Sequence, residues 1–268
     1  MLKFLIPFQF LFYSRLKRKN EVFSVIYIYP LYLFIFIFLF YGGELYPNVV
    51  LFPLLLTAWM FIYELGYLEN DAITIKNETN PNLRISFQDI GLIQANFSMI
   101  TLIRVACFGA IMSIIFFSKL LPINGLIFFM IFILLVRGVF YLHNTIRSRH
   151  NILTYLILCS AKYFILPLIF LKWDYGAVPY LIIFFSFPLL RTIEHAVKEK
   201  YQLFELQQWI GSLDRFRFLY YGFSLGLFLI FYFSFTISII WVFSIAYFFV
   251  FRMGIFLLIR SGKQLREI

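Results

Sequence analysis

One long apolar stretch ends in Glu64-Leu65-Gly66-Tyr67-Leu68-Glu69-Asn70-Asp71-Ala72-Ile73-Thr74-Ile75-Lys76-Asn77-Glu78, followed by Thr79-Asn80-Pro81-Asn82-Leu83-Arg84. If its helix continues, Asn70, Thr74 and Glu78 stack on one face, and Asp71 lies seven residues from both Glu64 and Glu78, near the same meridian. Oxygen ligands converge there. Hard divalent cations take such oxygens, and Mg²⁺ binds through one or two carboxylates plus a substrate phosphate. The same residues also read as a solvated, helix-capping polar loop. Glu64 falls inside the apolar stretch, where a lone carboxylate is costly and faces either a polar cavity or the nearby interface.

Two further clusters carry both charges. One is Tyr141-Leu142-His143-Asn144-Thr145-Ile146-Arg147-Ser148-Arg149-His150, and the other runs Arg191-Thr192-Ile193-Glu194-His195-Ala196-Val197-Lys198-Glu199-Lys200-Tyr201. In the second, Glu194 with Lys198 and His195 with Glu199 also make ordinary surface pairs four residues apart. On an unbroken helix Glu194 and Glu199 point about 140° apart, so at most one of them faces a common site. Arg147 and Arg149 equally serve as topology determinants at a membrane edge.

The elements that must position these groups are set by lipid. Of 268 residues, 62% are hydrophobic and 13% charged, roughly half the charged share of a soluble domain. Apolar windows place spans near 22–41, 49–68, 98–118, 125–142, 152–171, 177–190, 218–236 and 239–259, an all-α transmembrane bundle of about eight spans. Of the 23 Lys and Arg, 17 fall on the side that holds both termini and 2 on the other, which predicts cytoplasmic termini. The net charge of +10 is thereby a topology signal, with no nucleic-acid partner implied. Residues 1–20 read as an interfacial segment on the cytoplasmic leaflet, or as a frayed apolar tail, and 21–268 as one transmembrane domain. The long loops, 69–98 and 191–217, share the cytoplasmic side and hold the acids, so the polar cavity is expected there.

The stretch Asn70-Asp71 to Glu78, with its Thr, Asn, Pro and Arg turn, resembles the N-D-x-x-D-x-x-x-D motif of the UbiA-type intramembrane prenyltransferases. Thr74 and Glu78 replace two of that family's acids. Tyr141 with Arg147 and Arg149 resembles its second motif, whereas the third cluster lacks the expected D-x-x-x-D. The resemblance spans roughly residues 22–260, although the family usually has nine spans. It implies two similar helical halves around a cavity open to lipid, and transfer of a prenyl group from a prenyl diphosphate to an acceptor, with magnesium as cofactor. Asp71, Asn70 and Glu78 would stand at the reacting centre, and Asp71, Glu78 and Glu194 would hold Mg²⁺. Glu64, Lys76, Arg84, Tyr141, Asn144, Arg147, Arg149, Arg191 and Lys198 would face the donor.

Three other functions fit the same residues. A UbiA-type terpene cyclase would ionise the same diphosphate and quench the cation internally. Thr74 and the missing motif suit a non-catalytic membrane subunit with a protein partner. A transporter would use Glu64, Arg104, Arg137 and Lys162 at membrane depth. Cys107 and Cys159 read as small buried hydrophobes, and His143, His150 and His195 as polar loop residues. The 38 Phe and 18 Tyr need no function beyond the bilayer.

Overall fold

The computed structural model describes residues 1–16, 19–42, 46–77, 83–146, 148–234 and 236–260. Every regular element among them is helical. Two short helices open the chain, α1 (Leu2–Leu5) and α2 (Gln9–Arg15). The first long helix starts as α3 (Lys19–Ile26) and continues through a π-helical turn at Tyr27–Leu31, α4 (Tyr32–Phe34) and a second π-helical stretch at Ile35–Phe40. Pro30 sits in the first of these turns. It has no N–H to donate and its ring crowds the preceding turn, and the wider π geometry accommodates both.

There follow α5 (Asn48–Leu68), α6 (Phe87–Phe117), α7 (Ile123–Thr145) and α8 (Asn151–Phe170). The chain then forms α9 (Val178–Ser186), α10 (Pro188–Ala196), α11 (Phe204–Ile210), α12 (Leu213–Phe233) and α13 (Ile239–Arg260). Seven helical stretches among the described residues are long and apolar enough to cross a membrane: Glu21–Phe40, Asn48–Lys76, Phe87–Phe117, Ile123–Thr145, Asn151–Phe170, Leu213–Phe233 and Ile239–Leu257. This is the make-up of an integral multi-pass membrane protein.

The expected span at 177–190 is not among the seven. Its helix breaks at Phe187, whose φ of −147° and ψ of −55° lie outside the helical region, leaving two nine-residue pieces. The cause is local, because proline disfavours helical backbone at the residue before it, and Pro188 follows Phe187. Carbonyls stranded by such a break need partners in lipid. The Tyr220 hydroxyl donates to Phe185 O at 2.6 Å and the Tyr221 hydroxyl to Ser186 O at 2.7 Å.

The third span also departs from expectation. Its helix begins at Phe87, so residues 87–97, read as loop, are its first turns. Ser86 caps it, accepting from the Asp89 N–H at 3.1 Å, and Asn96 kinks it. The chain separates into two compact units: unit 1 is Met1–Thr154 with Ile165–Leu171, and unit 2 is Tyr155–Phe164 with Lys172–Ile268. In unit 1 residues 1–16 contribute to the core, with Phe4 and Phe10 wholly buried and their rings in edge contact. In unit 2 α12 and α13 pack through Phe218 against Phe249 and Phe256, and through Tyr221 stacked on Phe248.

Candidate anion sites at the helix ends

In unit 1, Glu64 of α5 and Arg104 of α6 are both wholly buried and face each other, with both Arg104 Nη atoms 3.1 Å from Glu64 Oε2. The guanidinium also donates to three carbonyls: Phe4 O from Nε at 2.7 Å, Phe61 O from Nη1 at 3.1 Å and Ile6 O from Nη2 at 3.3 Å. All five guanidinium N–H groups thus have an acceptor. The carboxylate accepts in addition from Phe8 N at 3.1 Å and Leu11 N at 3.0 Å. Glu64 was expected to face the donor; in the structure it ties α1 and α2 to two spans, with both its oxygens accepting hydrogen bonds. The transport reading loses Glu64 and Arg104 for the same reason.

The end of α5 carries the second arrangement. The helix does not stop at Leu68 but widens into a π-helical turn over Glu69–Ile73 and then a 3-10 turn over Thr74–Asn77. Extra-residue turns of this kind re-aim side chains and cluster at functional sites. Asp71, 3% exposed, accepts from Arg15 Nη1 at 2.8 Å, Arg84 Nη1 at 2.8 Å and Asn70 Nδ2 at 3.0 Å. The Arg15 guanidinium lies 4.0 Å from the Tyr67 ring centre, a cation–π contact. Next to it, Arg137 of α7 pairs with Glu69. Asn144, the penultimate residue of α7, donates to Gly66 O at 3.1 Å. Gly66 makes that approach possible, since a Cβ there would overlap the Phe140 ring. Behind this layer Lys3 lies 2.8 Å from Asp89, which the Tyr13 hydroxyl also meets. Burial pulls the Lys3 amine down, but hydrogen bonding to Asp89 and Tyr13 more than offsets it, and its pKa ends above the ordinary lysine value.

Unit 2 gathers a different set. Glu194, buried on α10, pairs with Arg191 on its own helix and accepts from Arg217 Nε at 2.6 Å, while Arg217 Nη1 reaches Asp214 at 2.8 Å. Burial raises the Glu194 carboxyl, but Arg191 and Arg217 outweigh it and hold its pKa below the ordinary carboxylate range. His195, read as a loop residue, is buried: it stacks on Tyr155 with ring centres 3.8 Å apart and meets the Tyr201 hydroxyl at 2.6 Å.

Asn70, Asp71, Arg84 and Asn144 are therefore brought to one end of unit 1. Lys76 follows them on the next turn and is exposed. Tyr141 is 70% exposed, and Arg149 is exposed as well. Arg191 and Glu194 belong to unit 2, where Lys198 and Glu199 are exposed beyond the end of α10. Glu78 and Arg147 lie outside the described residues. The sequence reading missed Arg15 and Arg137, which the structure sets against Asp71 and Glu69, and Arg217, which it sets against Glu194. The signal available was charge balance, because an acid buried at a helix end draws in cations beyond those near it in the chain.

As arranged, these residues do not fit Mg²⁺. Both Asp71 oxygens accept from guanidinium groups, Glu69 and Glu194 are likewise paired with arginine, and no group of three or more acids, histidines or cysteines converges among the described residues. A carboxylate paired with arginine already has its charge compensated, which weakens its hold on a metal ion. What the arrangement can do is hold a phosphate or another oxyanion through arginine forks, with the acids orienting them. Compared with known proteins, the chain matches no family model, no curated protein and no solved structure.

Proposed function

We propose that this membrane protein binds the diphosphate of a prenyl donor at the Asn70–Asp71 turn of unit 1 and transfers the prenyl group to an acceptor. The observation that carries this reading is Asp71, buried at the end of a membrane-spanning helix and shared between Arg15 and Arg84. Around the turn, among the described residues, Arg15, Arg84, Arg137 and Lys76 outnumber Asp71 and Glu69 by two charges. That surplus suits a diphosphate at a lipid boundary, with the isoprenoid chain in the bilayer. Arg15 and Arg84 would donate to phosphate oxygens, and Asp71 would act as a positioning residue that aims both. When the allylic carbon–oxygen bond breaks, its electron pair stays on the diphosphate oxygen, where the guanidinium N–H groups stabilise the new charge. The acceptor then attacks the cation. The charge split also favours cytoplasmic termini, with residues 177–190 crossing as one broken span. A cysteine at position 200 labelled only from outside would overturn that placement.

A second reading, a non-catalytic subunit for a protein partner, draws on Thr74, whose Oγ1 lies 3.4 Å from Glu69 O rather than supplying an acid. The test is binding of radiolabelled farnesyl diphosphate to the chain in lipid nanodiscs, with and without a chelator. Saturable binding that survives chelation and weakens about tenfold in Arg84→Gln, the loss of one charge-assisted hydrogen bond, is expected. Absent binding selects the subunit reading, and binding that requires Mg²⁺ would overturn the arginine-based account.

A further inference from the structure

Arg252 lies on α13, buried at 5% exposure, in the fields of Arg217, Glu194 and Arg191. Its place follows from the helix pairing. Tyr221 stacks on Phe248, so one turn back along α12 is Arg217 and one turn on along α13 is Arg252. The acids nearby are committed elsewhere: Glu194 is shared by Arg191 and Arg217, and Asp214 is taken by Arg217. The Arg252 Nε finds no hydrogen-bond partner among the described residues.

Burying a guanidinium N–H without an acceptor is costly, and doing so beside two like charges is costlier. Among the described residues, the three arginines against Glu194 and Asp214 carry one positive charge in excess. We infer that Arg191, Arg217 and Arg252 form an anion site in unit 2 that takes a singly charged phosphate oxyanion. It is independent of the diphosphate site of unit 1, and its single surplus charge distinguishes the two.

The depth of the cluster fits this ligand. Arg217 is four residues inside the start of α12 and Arg252 seven residues before Ile259, the last apolar residue of α13. At 1.5 Å per residue Arg217 lies roughly 6 Å from a span end, within reach of a lipid phosphodiester for a side chain as long as arginine, and Arg252 lies about one helical turn deeper, roughly 10 Å in. A free phosphate monoanion offers the same oxygens, so the two sources are separated by experiment.

The full chain, purified in a neutral detergent without phosphate, is melted at constant ionic strength with one of four additions. These are chloride, inorganic phosphate, dihexanoyl phosphatidylglycerol or dihexanoylglycerol. A saturable rise in the midpoint with the phosphatidylglycerol but not with dihexanoylglycerol or chloride is expected, and it identifies a headgroup. A rise with inorganic phosphate as well identifies the oxyanion alone as sufficient. Arg252→Gln should weaken the response about tenfold, again the value of a charge-assisted hydrogen bond, while Arg84→Gln should leave it intact. If Arg252→Gln does not fold, Arg252→Lys keeps the charge but loses the fork, and it should also weaken the response. No rise with either phosphate, or a rise unchanged in the Arg252 variant that folds, overturns the site. A rise lost only in Arg84→Gln assigns the phosphate to unit 1 and overturns it equally.

Discussion

Two buried glutamates meet arginine in opposite proportions. Glu64 in unit 1 faces Arg104 alone, and backbone groups of residues 4–11 and 61 complete both partners until every guanidinium N–H has an acceptor. Glu194 in unit 2 stands among Arg191, Arg217 and Arg252, and there the positive charge of the described residues exceeds the negative. The difference separates two uses of buried charge. A pair whose hydrogen bonds are complete can only hold the fold, because any added ligand would have to displace something already bound. A cluster with a missing acceptor can gain one.

The largest effect that would break this comparison is expected from Arg104→Met. It strands the Glu64 carboxylate and three carbonyls in the core, and breaking such a buried pair costs about 3–5 kcal/mol. Equilibrium unfolding in mixed micelles measures it, and adding Glu64→Leu should not restore stability, because Phe8 N, Leu11 N and the three carbonyls remain without partners. Full recovery in the double variant would show that the pair, and not its backbone connections, is what matters.

Glu194→Gln should cost less, about 3 kcal/mol, since Arg217 keeps Asp214. It sharpens the contrast, because it raises the surplus charge and should strengthen the response to phosphate while Arg252→Gln weakens it. The sign of its pH dependence follows from the depressed carboxyl. A folded-state pKa below the unfolded value near 4.5 contributes stability above that pH, and the contribution is lost as pH falls through the lower folded value. Wild type should therefore lose stability below about pH 4.5 more steeply than Glu194→Gln. Parallel curves would mean that Glu194 is not held by its arginines.

The smallest effect is expected at the margin of unit 1, where Lys3, a third exposed, pairs with Asp89. Lys3→Met should cost about 0.5 kcal/mol and the difference should shrink in high salt. A loss as large as that of Arg104→Met would place this pair with the complete, buried kind.

Hydropathy alone located the seven long helices, because a run of 20 apolar residues has few other uses. It failed at 177–190, where the composition suits lipid but Pro188 interrupts the backbone and α10 turns Arg191, Glu194 and His195 to one side. It also ended the third span too early at its start, since the polar first turn that holds Asp89 looks like loop until Ser86 is seen to cap it. In the sites, Asn70, Asp71 and Arg84 were legible because they are near one another in the chain. Arg15 and Arg137 were not, being 56 and 68 residues from the acids they meet. Such pairings depend on how helices pack, and no spacing rule along one chain contains them.

The broken span carries a consequence for biogenesis. At 1.5 Å per residue the nine residues of α9 cover about 14 Å, less than half of a hydrocarbon core roughly 30 Å thick. The hydroxyls that complete its last carbonyls come from Tyr220 and Tyr221, each 35 residues further along the chain. When this segment leaves the ribosome its partners have not been made, so it cannot enter lipid as a finished element. On the proposed crossing it would wait at the interface until α12 is synthesised, and unit 2 would be completed in reverse order, the later helix admitting the earlier one to the membrane.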